Sequence, residues 1–124
     1  MASAGTLRVS SFEEVYASYR VFILDIDGTL MNGNENVEGA VDSVFRLMTD
    51  ASKKVLFFTN GGYCSLHATF TKIHSWLKNN LSPEKFAQIE SAMTKDIVYN
   101  TAQLSAKYLL QQLQPGDKVL TFGN

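Results

Sequence analysis

Two carboxylates one residue apart, Asp25 and Asp27, close the apolar run Val21-Phe22-Ile23-Leu24 and are followed by Gly28-Thr29. In a strand, alternate residues share a face, so both acids would point the same way if the strand ran on. Negative charges that close repel, so the pattern asks for a cation, a turn that separates the acids, or both. Carboxylate oxygens are hard ligands for magnesium, which takes one or two protein carboxylates together with waters and phosphate oxygens. A carboxylate can also attack phosphorus and form an aspartyl-phosphate. A second one, displaced by a turn at Gly28, can protonate the leaving group and then activate water.

A second peptide of the same character, Thr59-Asn60-Gly61-Gly62, follows the run Lys54-Val55-Leu56-Phe57-Phe58. The Thr59 hydroxyl, the Asn60 amide and the backbone N–H groups near Gly61 and Gly62 suit phosphate oxygens. Both peptides stand where a strand gives way to a turn. In parallel α/β sheets ligands sit at the carboxyl ends of strands, so the two meet in space if their strands are neighbours.

The elements that must position them follow from spacing. Ser11-Phe12-Glu13-Glu14 has the spacing of a capping box and predicts a short helix to about Ser18, after a loose start over residues 1–10. Val21 to Asp25 reads as a strand covered on both faces. Met31 to Asn36 is loop chemistry, and Val41, Val44, Phe45 and Met48 fall at helical spacing. Lys54 to Thr59 is a second buried strand. A helix follows with Leu66, Phe70, Ile73 and Leu77 on one face. Ser82-Pro83 starts another helix, from Glu84 to about Ser91. Ile97 to Tyr99 reads as a short strand, Thr101 to Leu113 as a helix, and Val119 to Phe122 as a last strand. Strands alternating with helices predict a parallel α/β sheet.

The chain has 124 residues, 45% hydrophobic and 19% charged, enough for one packed domain. A net charge of −1 gives no electrostatic footprint for nucleic acid. No apolar run spans a membrane, no leader-like run opens the chain, and Cys64 is the single cysteine, so a soluble, cytoplasmic protein is expected. His67 and His74 read as solvated helix positions, Cys64 as a partly buried small residue, and Trp76 with Phe57-Phe58 as core.

Val-Phe-Ile-Leu-Asp-Ile-Asp-Gly-Thr closely resembles the first motif of the haloacid dehalogenase superfamily, an apolar strand followed by Asp-x-Asp-Gly-Thr. Leu-Phe-Phe-Thr-Asn-Gly-Gly is similar to its second. The finer pattern, with Gly39-Ala40 at a helix start and residues 97–124 as a third unit, resembles the subfamily of nitrophenylphosphatase, phosphoglycolate and pyridoxal phosphatases. The resemblance implies a three-layer Rossmann-like core, residues 1–124 forming one partial domain of it. It further implies a magnesium-dependent phosphatase acting on a small phosphomonoester. Asp25 would be the nucleophile and Asp27 the general acid/base, and the Asp25 carboxylate and Asp27 backbone carbonyl would hold Mg2+. Thr59 would bind the phosphoryl group, with Asn60 beside it. Gly28 and Gly61 would complete the phosphate-binding set. Gly61 stands where the family usually has Asn or Ser.

The family also uses a later lysine motif, a later acidic motif and an inserted cap, none of which follows in this sequence. Lys53 and Lys54 sit at the wrong end of their strand to replace the lysine. The expectation is therefore an N-terminal part with the nucleophile half of the site and little or no turnover alone. In this fold the Asp-x-Asp strand is central, so its far edge would be left bare; the chain is expected to self-associate, as a homodimer or by strand exchange, unless a remainder of the protein covers that edge. Two other readings are a receiver-like phospho-acceptor module and a non-catalytic, dimerising fragment.

Overall fold

The computed structural model describes residues 11–61 and 65–120. The expected loose start, Gly62, Cys64 and the Thr121–Phe122 end of the last expected strand lie outside them. Ser11 caps helix α1 (Phe12–Ser18) by accepting from the Glu14 backbone N–H, as the capping spacing predicts. Strand β1 (Val21–Leu24) follows, then a hairpin of β2 (Met31–Asn32) and β3 (Glu35–Asn36), then helix α2 (Ala40–Thr49) and strand β4 (Lys54–Thr59). Helices α3 (Leu66–Asn80) and α4 (Pro83–Ile89) come next, followed by two single 3-10 turns, strand β5 (Val98–Asn100) and helix α5 (Thr101–Gln112).

Among the described residues, β1, β4 and β5 form a parallel sheet in the order β1-β4-β5. The α/β class read from the alternation of elements is therefore the class observed. Register partners point to the same side of a sheet. Phe22 and Val55, Phe57 and Val98, and Thr59 and Asn100 are such partners, and all six are buried. Helix α2 packs on β4 and α3 on β5, while α4 rests on both helices. Ile73, Trp76 and Leu77 of α3, Val44 and Leu47 of α2, and Phe86 and Ile89 of α4 join the core, as do Ile26, Leu30 and Met31 after β1.

The other face differs from expectation. Ile23 and Leu56, and Phe58 and Tyr99, are partners there; Ile23 is 66% exposed and the other three are half-buried. Strand β1 is thus covered on one face rather than two, and its apolar run reflects composition more than burial. α5 buries none of its residues. Val119 and Leu120 pair with no strand and are exposed, so the described part of the last expected strand is not formed.

Three smaller corrections have local causes. Met31–Asn36 is a hairpin rather than a loop, because Gly33 supplies the positive φ that a tight reversal needs. β5 runs one residue later than read, since Ile97 closes a 3-10 turn. His74 is half-buried, edge-on to the Phe86 ring and tilted against that of Phe70, centroids 5.2 and 5.8 Å away, whereas His67 is exposed as expected.

Phe12, Val15 and Tyr16 of α1 pack half-buried against the core, and side-chain bonds fasten the helix to α2. Arg46 bonds both carboxylate oxygens of Glu13, and its guanidinium lies 4.0 Å from the Tyr16 ring centroid. That pairing holds the Glu13 carboxyl below its ordinary range and raises Arg46. The Tyr16 hydroxyl donates to Asp50, whose carboxylate also accepts from Ser52 Oγ at 2.6 Å and Ser52 N at 2.9 Å.

Candidate active site

β1 stops at Leu24, and the next residues leave the sheet in a compact turn. The Ile26 carbonyl accepts from Leu30 N at 2.9 Å and from Thr29 N and Met31 N at 3.3 Å, while Gly28 N donates to Met31 O at 2.8 Å. This closure needs φ +83° at Gly28, a value that glycine reaches freely. Ile26 is buried, 1% exposed, and flanked by exposed Asp25 and Asp27. The buried side chain forces the two acids outward on either side of it. Both acids are therefore exposed, Asp27 on a turn rather than along a strand. Asp25 Oδ1 accepts from Ile26 N at 2.8 Å, which fixes one oxygen of its carboxylate.

Thr59 ends β4 next to this turn, because β1 and β4 are register neighbours. Its side chain is 5% exposed, and its Oγ1 accepts from Gly61 N at 3.1 Å. Asp27, Thr59 and Gly61 line one recess of about 50 Å³ with Ile26, Ala68, Thr69 and Lys72. Three of the residues singled out from sequence are therefore brought together, although 32 residues separate Asp27 from Thr59. Gly28 serves through its turn. Asp25 and Asn60 are not among the lining residues; the Asn60 carbonyl accepts from Thr101 Oγ1 at 3.3 Å, tying the strand end to α5.

Lys72 is the residue that sequence reasoning missed. Its Nζ stands 2.7 Å from Asp27 Oδ1. Lys72 lies three and four residues after Thr69 and Ala68, so all three share one face of α3, but only the packing of α3 brings that face to the strand ends. Lys53 is at the opposite end of β4, as expected, where its Nζ donates to the carbonyls of Tyr16 and Tyr19.

Two acids on one turn, one of them fixed by a backbone bond, suit the donor set that magnesium takes from a protein. Among the described residues no group of three or more His, Cys, Asp or Glu side chains is arranged to hold a metal ion, so further ligands would be water or phosphate oxygens. No described helix is long and apolar enough to cross a membrane.

The model of the haloacid dehalogenase-like hydrolase family matches residues 22–124. A Caenorhabditis elegans protein that carries the NipSnap name is 35% identical over 79 residues, covering 59% of this chain and 15% of that protein. The chain thus corresponds to a small part of that relative's length. No solved structure matches it.

Proposed function

This chain belongs to the haloacid dehalogenase-like hydrolases, and from that premise we propose that it carries the nucleophile half of a magnesium-dependent phosphomonoester hydrolase of the nitrophenylphosphatase-like kind. The observation that supports this most directly is the pair of outward acids around buried Ile26, with Asp27 facing Thr59 across one recess. The Asp25 carboxylate and the Asp27 backbone carbonyl would hold Mg2+, which when bound supplies positive charge against the phosphoryl oxygens.

In the first step an Asp25 carboxylate oxygen attacks phosphorus, and the P–O bond to the leaving group breaks. The Asp27 carboxyl gives its proton to the departing oxygen, and an aspartyl-phosphate remains. In the second step water attacks phosphorus, Asp27 takes its proton, and the Asp25–phosphorus bond breaks to release inorganic phosphate. The Thr59 hydroxyl holds a phosphoryl oxygen, and the N–H of Gly61, now bonded to Thr59, is close enough to share that task.

The exposed setting of both acids favours partial rather than full competence. Catalysis gains most from donors fixed in a site that excludes water, and this turn is open. We therefore expect slow hydrolysis from this chain alone. Magnesium-dependent hydrolysis of nitrophenyl phosphate tests the reading. Any turnover should vanish in Asp25→Asn, and turnover indifferent to that change would sink the site assignment.

A further inference from the structure

Lys72 is a cation among acids. It reaches toward Asp27 from the middle of α3, 45 residues along the chain, and α3 is anchored beneath it by buried Thr69, Ile73 and Trp76. Its side chain is 46% exposed and that of Asp27 53%, so the pair stands at an open mouth that a ligand can reach. Lys72 also lines an adjoining recess of about 260 Å³ with Asn34, Asn36 and Trp76. It is therefore the wall common to the recess holding Asp27 and Thr59 and to its neighbour.

A phosphate monoester brings up to two negative charges to a turn that already holds two carboxylates. Without a cation at the mouth, that approach is repelled. An ammonium has three N–H donors, and the bond to Asp27 Oδ1 takes one of them. Three other described cations are engaged elsewhere: Arg46 on Glu13, Lys53 on the Tyr carbonyls, Lys85 over the Phe45 ring. We propose that Lys72 is the phosphate-gripping residue of this site. At rest it holds Asp27 in place, and when a phosphomonoester enters, its ammonium bonds the phosphoryl oxygens and releases Asp27 toward the leaving group.

This assignment rests on the phosphatase reading and can fail separately from it. Inorganic phosphate, titrated into the full chain with magnesium present, is the probe; Trp76 beside Lys72, the single tryptophan, reports binding by fluorescence. A charge-assisted hydrogen bond lost from a phosphate site corresponds to about a tenfold to hundredfold weaker affinity, which is the expected result for Lys72→Met. Lys72→Arg should restore most of it. Circular dichroism shows whether Lys72→Met is folded, and Lys72→Gln gives a second neutral variant. If both neutral variants bind phosphate as the native chain does, while Thr59→Ala weakens it, the role of Lys72 is overturned and the site reading stands. If the native chain binds no phosphate, both fall.

Discussion

Trp76 Nε1 donates to Asn36 Oδ1 at 2.7 Å, and this bond ties the β2–β3 hairpin to α3. Asn36 Nδ2 in turn donates to Asn80 Oδ1 at 2.7 Å, and Asn80 Nδ2 to the Trp76 carbonyl at 2.8 Å. The ring of bonds closes over a side chain that sequence alone assigns to the core, and it explains why a hairpin of two-residue strands holds its place. Removing the acceptor in Asn36→Ala strands an indole N–H that water can partly reach. The expected loss is about 1 kcal/mol in urea unfolding, with a change in Trp76 emission as the hairpin loosens. An unchanged spectrum and midpoint would show that the ring does not hold the hairpin.

Ile26 separates position from chemistry at the turn. Ile26→Ala empties a fully buried site beneath both acids, and the expected cost is about 2–5 kcal/mol. Asp25→Asn changes an exposed side chain and should leave the urea midpoint within about 0.5 kcal/mol of native. Measured side by side, Ile26→Ala should lower stability and phosphate binding together, and Asp25→Asn should abolish turnover without a loss of stability. Equal stability losses in the two variants would contradict this division.

Gly28→Ala isolates backbone strain. An added Cβ would meet nothing within 4 Å, so no clash contributes. The positive φ does, at about 1–2 kcal/mol for an L side chain. Gly28→Asn should cost less, because asparagine tolerates this region. Thermal unfolding of the two variants gives the ordering, and an alanine variant as stable as native would mean that the turn relaxes to another conformation.

The helix caps, β4 and the pairing of the two motif peptides were legible because each rests on local chemistry: Ser11 and Ser82 at N-caps, Pro83 at a first turn, Thr59 at a strand end. Lys72 was not, because its meaning depends on where α3 lies against the Asp27 turn. Nor was the one-sided cover of β1. An apolar run such as Val21 to Leu24 reads the same whether one face or two are buried. His74 misled for a similar reason, since Phe70 is on its own helix but Phe86 comes from α4. Periodicity reports faces within an element and is silent on what arrives from the next.

Asp50 gives stability an acid limit. Bonds from Ser52, and then from the Tyr16 hydroxyl, hold its carboxyl down to about 2, below the ordinary 3.8. A depressed pKa contributes stability that is complete above the unfolded value and fades as pH falls from about 3.8 toward 2. The urea-midpoint difference between the native chain and Asp50→Asn should therefore be constant from neutral pH down to about 4.5 and shrink below it. A difference that stays constant to pH 2 would remove Asp50 as the source.

The outer edge of β1 offers the last expectation. β1 pairs only with β4 among the described residues, and Val21 and Ile23 beside that edge are 53% and 66% exposed. An unpaired strand edge with apolar side chains is a template for another strand, and burial of those side chains would add to the backbone bonds. We propose that the chain self-associates there. Sedimentation velocity should show a monomer–dimer equilibrium that shifts with concentration. Ile23→Lys should move it to monomer with little change in thermal stability, since a lysine can reach solvent from that exposed position. The control is Lys107→Glu on α5, a charge change on an exposed helix away from the edge, which should leave the equilibrium where it is. Native chain that sediments as monomer at every concentration would mean that this edge does not recruit a second copy.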